Sequence, residues 1–191
     1  MDIEDVIYKR RTIRRYKQDL IPIDTLKKLI DFARVAPASS NLQNIEYIIV
    51  IDPIMKDKLF PLLKWAGYLP KSERLPPIGQ RPTAYIIVLV NTKIKKGNVD
   101  FNVGAAVENI LLGAVKFELG SCWIGSIDRK KIKQLFEIPD HYNVKHVISL
   151  GFPNEKSIIE RYIGSFKYWK DTSNIIHVPK KELKDLLFKI I

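Results

Sequence analysis

The 191-residue chain has few metal-binding or cross-linking side chains: one cysteine, Cys122, and three histidines. A single cysteine excludes an intrachain disulfide and any metal or iron–sulfur site built from several cysteines. It is consistent with a reducing compartment. His141, His146 and His177 lack the short spacings that place two ligands on one helix, so zinc chemistry is not indicated.

Long apolar runs are also absent. The longest, residues 85–90, has the length of a strand, whereas a membrane-spanning helix needs roughly 20 apolar residues. The chain opens with Asp2, Glu4 and Asp5, and it lacks the cationic start and apolar stretch of a secretory signal. We therefore expect a soluble, cytoplasmic protein. A hydrophobic fraction of 46% excludes a disordered chain, and the length predicts a single domain over residues 1–191.

Acidic residues are scarce relative to basic ones, since 21 Asp and Glu oppose 32 Lys and Arg for a net charge of +11. Such a chain attracts nucleotides, phosphates, nucleic acids and anionic membranes. The basic density peaks over residues 9–15, with five cations in seven positions. This run fits a solvated basic face. It also fits a phosphate site, where arginine donates paired hydrogen bonds and Thr12 adds a hydroxyl.

Residues 37–44 form a small polar segment after a predicted helix. Residues 38–40 are small and allow close backbone approach, while Asn41 and Gln43 each donate and accept hydrogen bonds. This combination suits a ring with carbonyl and N–H edges, such as a pyrimidine or a flavin. An ordinary helix-to-strand turn favours the same residue types, so both interpretations stay open.

Hydrophobic periodicity predicts helices and strands along the whole chain. Residues 100–119 are apolar around most of the helix circumference, which predicts a central or interfacial helix. No glycine-rich phosphate loop follows a predicted strand, so a Rossmann dinucleotide-binding unit is not indicated. The pattern predicts helices over 2–9, 22–35, 53–66, 100–119, 129–136 and 179–189, strands over 45–51, 83–91, 121–127 and 144–152, and irregular chain over 67–82 and 154–178.

Four sequence blocks follow one another in a specific order. They are Arg-Arg-Thr-Ile-Arg-Arg-Tyr at 10–16, Ala-Pro-Ala-Ser-Ser-Asn-Leu-Gln at 36–43, an apolar segment at 104–112 with Gly-Ser-Cys-Trp-Ile-Gly at 120–125, and residues 147–153 ending Leu-Gly-Phe-Pro. Together they resemble the nitroreductase family of FMN-dependent NAD(P)H oxidoreductases. The resemblance implies an α+β fold with a central, mostly antiparallel sheet flanked by helices. It also implies an obligate homodimer with FMN at the subunit interface.

The resemblance also implies roles for the basic run. Arg10, Arg11 and Thr12 would bind the FMN phosphate and ribityl chain. Arg14 would reach the pyrimidine edge, where its positive charge would stabilise the reduced flavin. A basic residue near the C-terminus, Lys180 or Lys181, would close over the phosphate, although both could equally be solvated.

The rest of the implied site is built from two segments. Residues 37–43 of the other subunit would complete the cofactor site, and the backbone of residues 123–126 would lie along flavin N5. Ala38 replaces the usual first serine of the loop, and Asn44 and Ile45 replace Pro-Trp. The expected cofactor-binding residues are Arg10, Arg11, Thr12, Arg14, Pro37, Ala38, Ser39, Asn41, Gln43, Trp123, Ile124, Gly125, Ser126, Lys180 and Lys181.

The implied activity is a ping-pong reaction. Hydride passes from NADH or NADPH through flavin N5 to a nitroaromatic, a quinone or a similarly electron-poor acceptor. FMN carries the chemistry, so no side chain is nominated as catalytic and no metal is expected. Flavin-fragmenting enzymes and reductive dehalogenases share these motifs and form an alternative. Nucleic-acid binding is a further alternative, prompted by the charge, although the basic run lacks interleaved aromatic residues.

The sequence has three further features of interest. Residues 67–82 match nothing in the family pattern, and we expect them to shape the substrate mouth. Glu108 and Asn109 fall inside the apolar helix, where a buried carboxylate is costly unless paired, so we expect partners for both across a dimer seam. Four large aromatic residues could stack on an acceptor or pack in the core: Trp65, Tyr68, Trp123 and Trp169.

Overall fold

A computed structural model describes residues 1–94 and 99–191. Its main sheet contains four strands in the order β1-β2-β4-β3, and every neighbouring pair is antiparallel. The central strand β2 is buried on both faces, which explains its unbroken run of β-branched and aromatic residues. The strands are β1 (Ile45–Val50), β2 (Ala84–Asn91), β3 (Gly120–Ile124) and β4 (Tyr142–Gly151).

Three of the helices in the described ranges begin at an aspartate that satisfies a free backbone N–H group. The side chains of Asp2, Asp52 and Asp128 each accept a hydrogen bond from the backbone N–H three residues later, as N-cap residues do. The helices are α1 (Ile3–Lys9), α2 (Ile23–Arg34), α3 (Pro53–Leu59), α4 (Lys71–Arg74), α5 (Asp100–Lys116) and α6 (Arg129–Leu135). None of the helices in the two described ranges is long and apolar enough to span a membrane.

The main sheet separates two hydrophobic cores. Ile86 and Val88 of β2 pack on the side covered by α2 and α5. Tyr85 and Ile87 point to the other side, which α3 and α6 help to cover. This alternation follows from the two-residue period of a strand.

The basic segment, defined here as residues 10–16, runs along β3. Thr12 forms a parallel bridge with Ser121, and the Ile13 N–H donates to the Ser121 carbonyl at 2.9 Å. Gly120 lets the two backbones approach, because a Cβ there would lie 2.8 Å from the Ile13 Cβ. The edge of β3 therefore holds the basic segment in place.

The C-terminal region differs from the sequence prediction. Residues 154–178 were expected to be irregular, but they contribute strands to a second sheet with the order β5-β7-β6. Strands β5 and β7 are parallel and pair residues about 20 positions apart, a contact that local patterning does not reveal. The new strands are β5 (Lys156–Arg161), β6 (Trp169–Lys170) and β7 (Ile175–Lys180).

Two predicted helices are shorter than expected. The predicted helix over 179–189 is wrong, since only Leu183–Asp185 forms a 3₁₀ turn. Leu183, Leu186 and Leu187 remain exposed, and a short helix without a packing partner is marginal in water. The helix predicted over 53–66 ends at Leu59 and passes into a 3₁₀ turn over Phe60–Leu62, because Pro61 has no backbone N–H to continue the helical hydrogen bonds.

The polar residues of α5 find partners within the chain. Glu108 Oε1 lies 3.6 Å from Arg10 Nε, and Asn109 Nδ2 donates to the Phe32 carbonyl at 2.9 Å. Each residue therefore has a partner within one chain and does not need one across a dimer seam. The pair between Arg10 and Glu108 instead connects the basic segment to the central helix.

Gly120→Ala should lower the free energy of unfolding by about 1–3 kcal/mol, because the added methyl group overlaps the Ile13 side chain. Urea unfolding followed by circular dichroism measures the change. Gly79→Ala is the control, since among the described residues no heavy atom beyond its chain neighbours lies within 4 Å of its added methyl group. Equal midpoints for the two variants would contradict the close packing of the basic segment on β3.

Candidate functional site

The extended basic segment sends its side chains to different sides. Arg11 and Ile13 line a cavity of about 300 Å³ that Arg10, Thr12 and Arg14 do not line. There the Arg11 guanidinium donates to a backbone carbonyl at 3.0 Å. The structure therefore does not place Arg11 on the same face as Arg14.

Arg14 has a charge without a carboxylate partner. Within residues 1–94 and 99–191, no carboxylate lies within 4.0 Å of its guanidinium. The side chain contacts the Cys122 thiol and lies over the Tyr168 ring. Burial raises the pKa of Cys122, so this contact is with a neutral thiol. Arg14 therefore keeps a positive charge available for an anionic or electron-rich ligand.

Arg15 is committed to the protein. Its guanidinium donates to the Glu73 carbonyl at 3.2 Å and to Gln80 at 3.4 Å, and it lies 3.9 Å from Glu155. The Glu155 carboxylate also accepts the Arg14 backbone N–H. Burial raises the pKa of Glu155, while the hydrogen bond and charge of Arg14 oppose that rise. Glu155 thus fixes the backbone at Arg14 without pairing with its guanidinium.

Residues 123–126, at the end of β3 and just after it, are held in place by neighbouring segments. Trp123 is 38% exposed, and its ring meets the His146 ring edge-on at 5.2 Å. Arg129 donates to the Gly125 carbonyl at 3.0 Å, and the Ser126 carbonyl accepts the N–H of residue 64 at 2.9 Å. These contacts order a stretch along which a planar ring could lie.

His146 supports this stretch from the neighbouring strand. A Cβ at position 125 would lie 3.3 Å from His146 Nδ1, which shows how closely the ring packs beneath Gly125. Burial lowers the pKa of His146, and the charges of Arg129 and Lys145 lower it further. The Nδ1 atom is buried and has no hydrogen-bond partner among the described residues. The site is thus built around a neutral imidazole at pH 7.

The polar loop, residues 37–44, has a strained backbone. Ser40, Asn41 and Gln43 adopt φ angles of 52°, 50° and 48°, in the left-handed region that favours glycine. The Ser39 N–H donates to Asn102 Oδ1 at 3.0 Å, which anchors the loop to the start of α5. Such strain persists where the surrounding structure imposes it, and it concentrates at functional sites.

The inner side of this loop lines a cavity of about 430 Å³, together with residues from α2, β1 and α5. Pro37, Ala38 and Gln43 lie on its wall. Asn44 also lines it, is fully buried, and has no hydrogen-bond partner for either side-chain atom within the described ranges. An unpaired buried amide costs about 1–3 kcal/mol, so this wall suits a ligand with both donors and acceptors.

Within one chain, the polar loop and the basic segment contact different parts of α5. The loop contacts α5 at Asn102, whereas the basic segment contacts it at Glu108. Six helical residues separate these points by roughly 9 Å along the axis and roughly 120° around it. Lys180 and Lys181 are exposed in and after β7, and Lys181 Nζ lies 5.8 Å from a phenylalanine ring rather than beside an arginine.

Known proteins share both the sequence pattern and this architecture. The sequence profile of the nitroreductase family matches residues 7–152. The chain belongs to the nitroreductase family. The expected α+β fold with its antiparallel central sheet is confirmed, and the chain is an oxidoreductase of this family.

Individual members of the nitroreductase family support this assignment. A protein of Archaeoglobus fulgidus named "Putative NADH dehydrogenase/NAD(P)H nitroreductase" is 32% identical, over 79% of this chain and 85% of its own. A nitroreductase family protein from Clostridium novyi NT has a solved structure with 28% identity and a TM-score of 0.69, covering 80% of this chain and 87% of that one. An FMN-dependent nitroreductase from Clostridium difficile R20291 has 26% identity and a TM-score of 0.64, covering 81% and 90%.

Two residues near Arg14 were not identified from the sequence. Tyr168 lies in a region predicted to be irregular, and Glu155 follows the last matched block. Of the four aromatic candidates, Trp65 is buried in the core, whereas Tyr68, Trp123 and Trp169 are exposed.

Acid should destabilise this protein partly through His146. Its folded-state pKa lies below the unfolded value of about 6.5, so its contribution is full above that pH and is lost as the pH falls. Between about pH 7.5 and about pH 5.5, the wild type should lose more unfolding free energy than His146→Gln. Urea unfolding at both values measures the difference. Parallel pH dependence in the two proteins would contradict the assigned burial of His146.

Proposed function

We propose that the protein is an FMN-dependent NAD(P)H oxidoreductase of the nitroreductase type. The observation that carries the proposal is the basic segment pinned to β3, with the Arg14 guanidinium free of any carboxylate partner in the described ranges. When bound, FMN would supply hydride transfer at N5 from NADH or NADPH to a nitroaromatic, quinone or similarly electron-poor acceptor by a ping-pong mechanism. The FMN-dependent relative supports this choice of cofactor.

The donors of the basic segment fit a flavin mononucleotide. Arg10 would bind the phosphate, and its pair with Glu108 is long and partly exposed, so it contributes little that a phosphate could not replace. The Thr12 hydroxyl makes no hydrogen bond to the described residues and would bind the ribityl chain. Arg14 would face the pyrimidine edge, and the backbone of residues 123–126 would line the ring near N5.

The remaining part of the site would come from a second copy of the chain. The polar loop and the basic segment contact different sides of α5, so a homodimer is the simplest way to bring Asn41 and Gln43 to the flavin. Phe101 on α5 is 87% exposed and would be covered in that assembly. Lys180 or Lys181 would approach the phosphate in that assembly.

A visible spectrum is the direct test of the cofactor. Purified protein should show the flavin absorption bands or acquire them on addition of FMN, and it should oxidise NADH or NADPH anaerobically with a nitroarene or quinone. A protein that does not take up FMN would contradict the proposal. Uptake of FMN without any NAD(P)H oxidation would instead favour a flavin-fragmenting or dehalogenating enzyme.

Arg10→Ala should weaken FMN binding by about tenfold or more, because it removes a charge-assisted hydrogen bond to the phosphate. Arg15→Ala is the matched control and should have a smaller effect, since the Arg15 guanidinium is already committed to Glu73, Gln80 and Glu155. Quenching of flavin fluorescence on titration gives both dissociation constants. Small, equal effects would show that the basic segment is only a solvated surface.

The shared site can be tested by subunit complementation. Arg14→Ala and Gln43→Ala should each abolish FMN binding at both sites of their homodimers. A heterodimer of the two variants should recover roughly half of the wild-type FMN content, because one site receives both intact residues. Differently tagged chains allow its purification. No recovery would show that both residues act within one chain.

A further inference from the structure

Two tyrosines from distant segments converge on Arg14. Its guanidinium carbon lies 4.7 Å from the centroid of the Tyr168 ring, within the range of a cation–π contact. The Tyr168 ring meets the Tyr68 ring at 5.1 Å, and its hydroxyl accepts the Tyr68 N–H at 3.5 Å. Tyr168 lies just before β6, whereas Tyr68 lies in the proline-rich segment, residues 67–82.

The segments that carry these tyrosines are also joined to each other. Lys170 of β6 forms an ion pair with Glu73 of α4, and the Lys170 side chain is largely buried. The Glu73 carbonyl accepts a hydrogen bond from Arg15. The second sheet, the proline-rich segment and the basic segment therefore meet beside Arg14, which restricts how far Tyr168 can move from it.

This arrangement orders a cation without neutralising it. A free arginine side chain samples many rotamers, and stacking on a planar ring restricts its conformations. The ring covers one face of the Arg14 guanidinium but leaves N–H groups at its edge for another partner. Because no carboxylate in the described ranges forms an ion pair with the Arg14 guanidinium, its charge is not taken up by a direct partner, and a pre-oriented charge stabilises an anion without reorganisation.

We propose that Tyr168, supported by Tyr68, is a positioning residue that holds the Arg14 guanidinium toward the pyrimidine edge of FMN and raises the flavin reduction potential. The proposal rests on the proposed function. A fixed positive charge favours the anionic reduced flavin over the neutral oxidised flavin, so better ordering of Arg14 raises the potential. Tyr168 lies outside residues 7–152, which match the family profile. The C-terminal region would therefore tune the flavin potential.

The test compares Tyr168→Leu with Tyr168→Phe in the full-length protein. Tyr168→Leu should weaken FMN binding by about two- to fivefold and lower the flavin midpoint potential. Tyr168→Phe should retain both values, because the ring remains. Tyr68→Leu should shift both in the same direction by less. Tyr142→Leu, which removes a tyrosine paired with Glu46 in the main sheet, is the control for nonspecific destabilisation.

The outcomes separate this inference from the proposed function. If wild-type protein binds FMN but Tyr168→Leu leaves affinity and potential unchanged, the positioning role is overturned and the proposed function stands. If Tyr168→Phe loses as much as Tyr168→Leu, the stacking role is overturned. If the wild-type protein binds no FMN, both the positioning role and the proposed function are overturned. If Tyr168→Leu does not fold, the exposed Tyr68→Leu decides, and an unchanged potential there overturns the inference.

Discussion

The candidate site depends on how the protein accommodates five closely spaced positive charges near residue 10. Such crowding is repulsive, and the structure resolves it by giving neighbouring arginines different partners. Arg15 is held by Glu155 and by the proline-rich segment, Arg11 turns to a separate cavity, and Arg10 pairs loosely with α5. Arg14 alone among these four arginines has neither a carboxylate nor a carbonyl partner in the described ranges. The charge without a direct partner is therefore at Arg14, because the neighbouring arginines already bind other groups.

The fold provides the precision that this arrangement needs. The basic segment is joined to β3 by backbone contacts at Thr12 and Ile13, and the close approach at Gly120 sets their separation. The same strand leads directly into residues 123–126, which His146 and Arg129 order from beneath. A single rigid strand thus positions both the charged side chain and the neighbouring backbone. Sites built on such elements hold their geometry better than sites built on loops alone.

Local patterning predicted the elements whose cause is local. The period of α5, the aspartate cap of α6 at Asp128 and the apolar run of β2 all lie within short stretches of sequence. The second sheet escaped prediction because β5 and β7 pair through residues far apart in the chain. The helix expected after residue 179 failed because its leucines find no surface to pack on. Pattern alone could not supply those contacts.

The candidate site divides in the same way. The blocks around Arg10 and Gln43 were visible in the sequence, because charge density and small polar residues are local properties. The opposite placement of Arg11, the in-chain partner of Glu108 and the stacking of Tyr168 on Arg14 depend on tertiary contacts. Only the three-dimensional structure shows these contacts.

A crystal structure of the protein with added FMN tests the account most directly. It should show the FMN phosphate against Arg10 and Thr12 of one subunit, the pyrimidine edge beside Arg14, and the polar loop of a second subunit closing the site. FMN bound elsewhere, or enclosed by a single chain with Arg14 turned to solvent, would contradict the central claim.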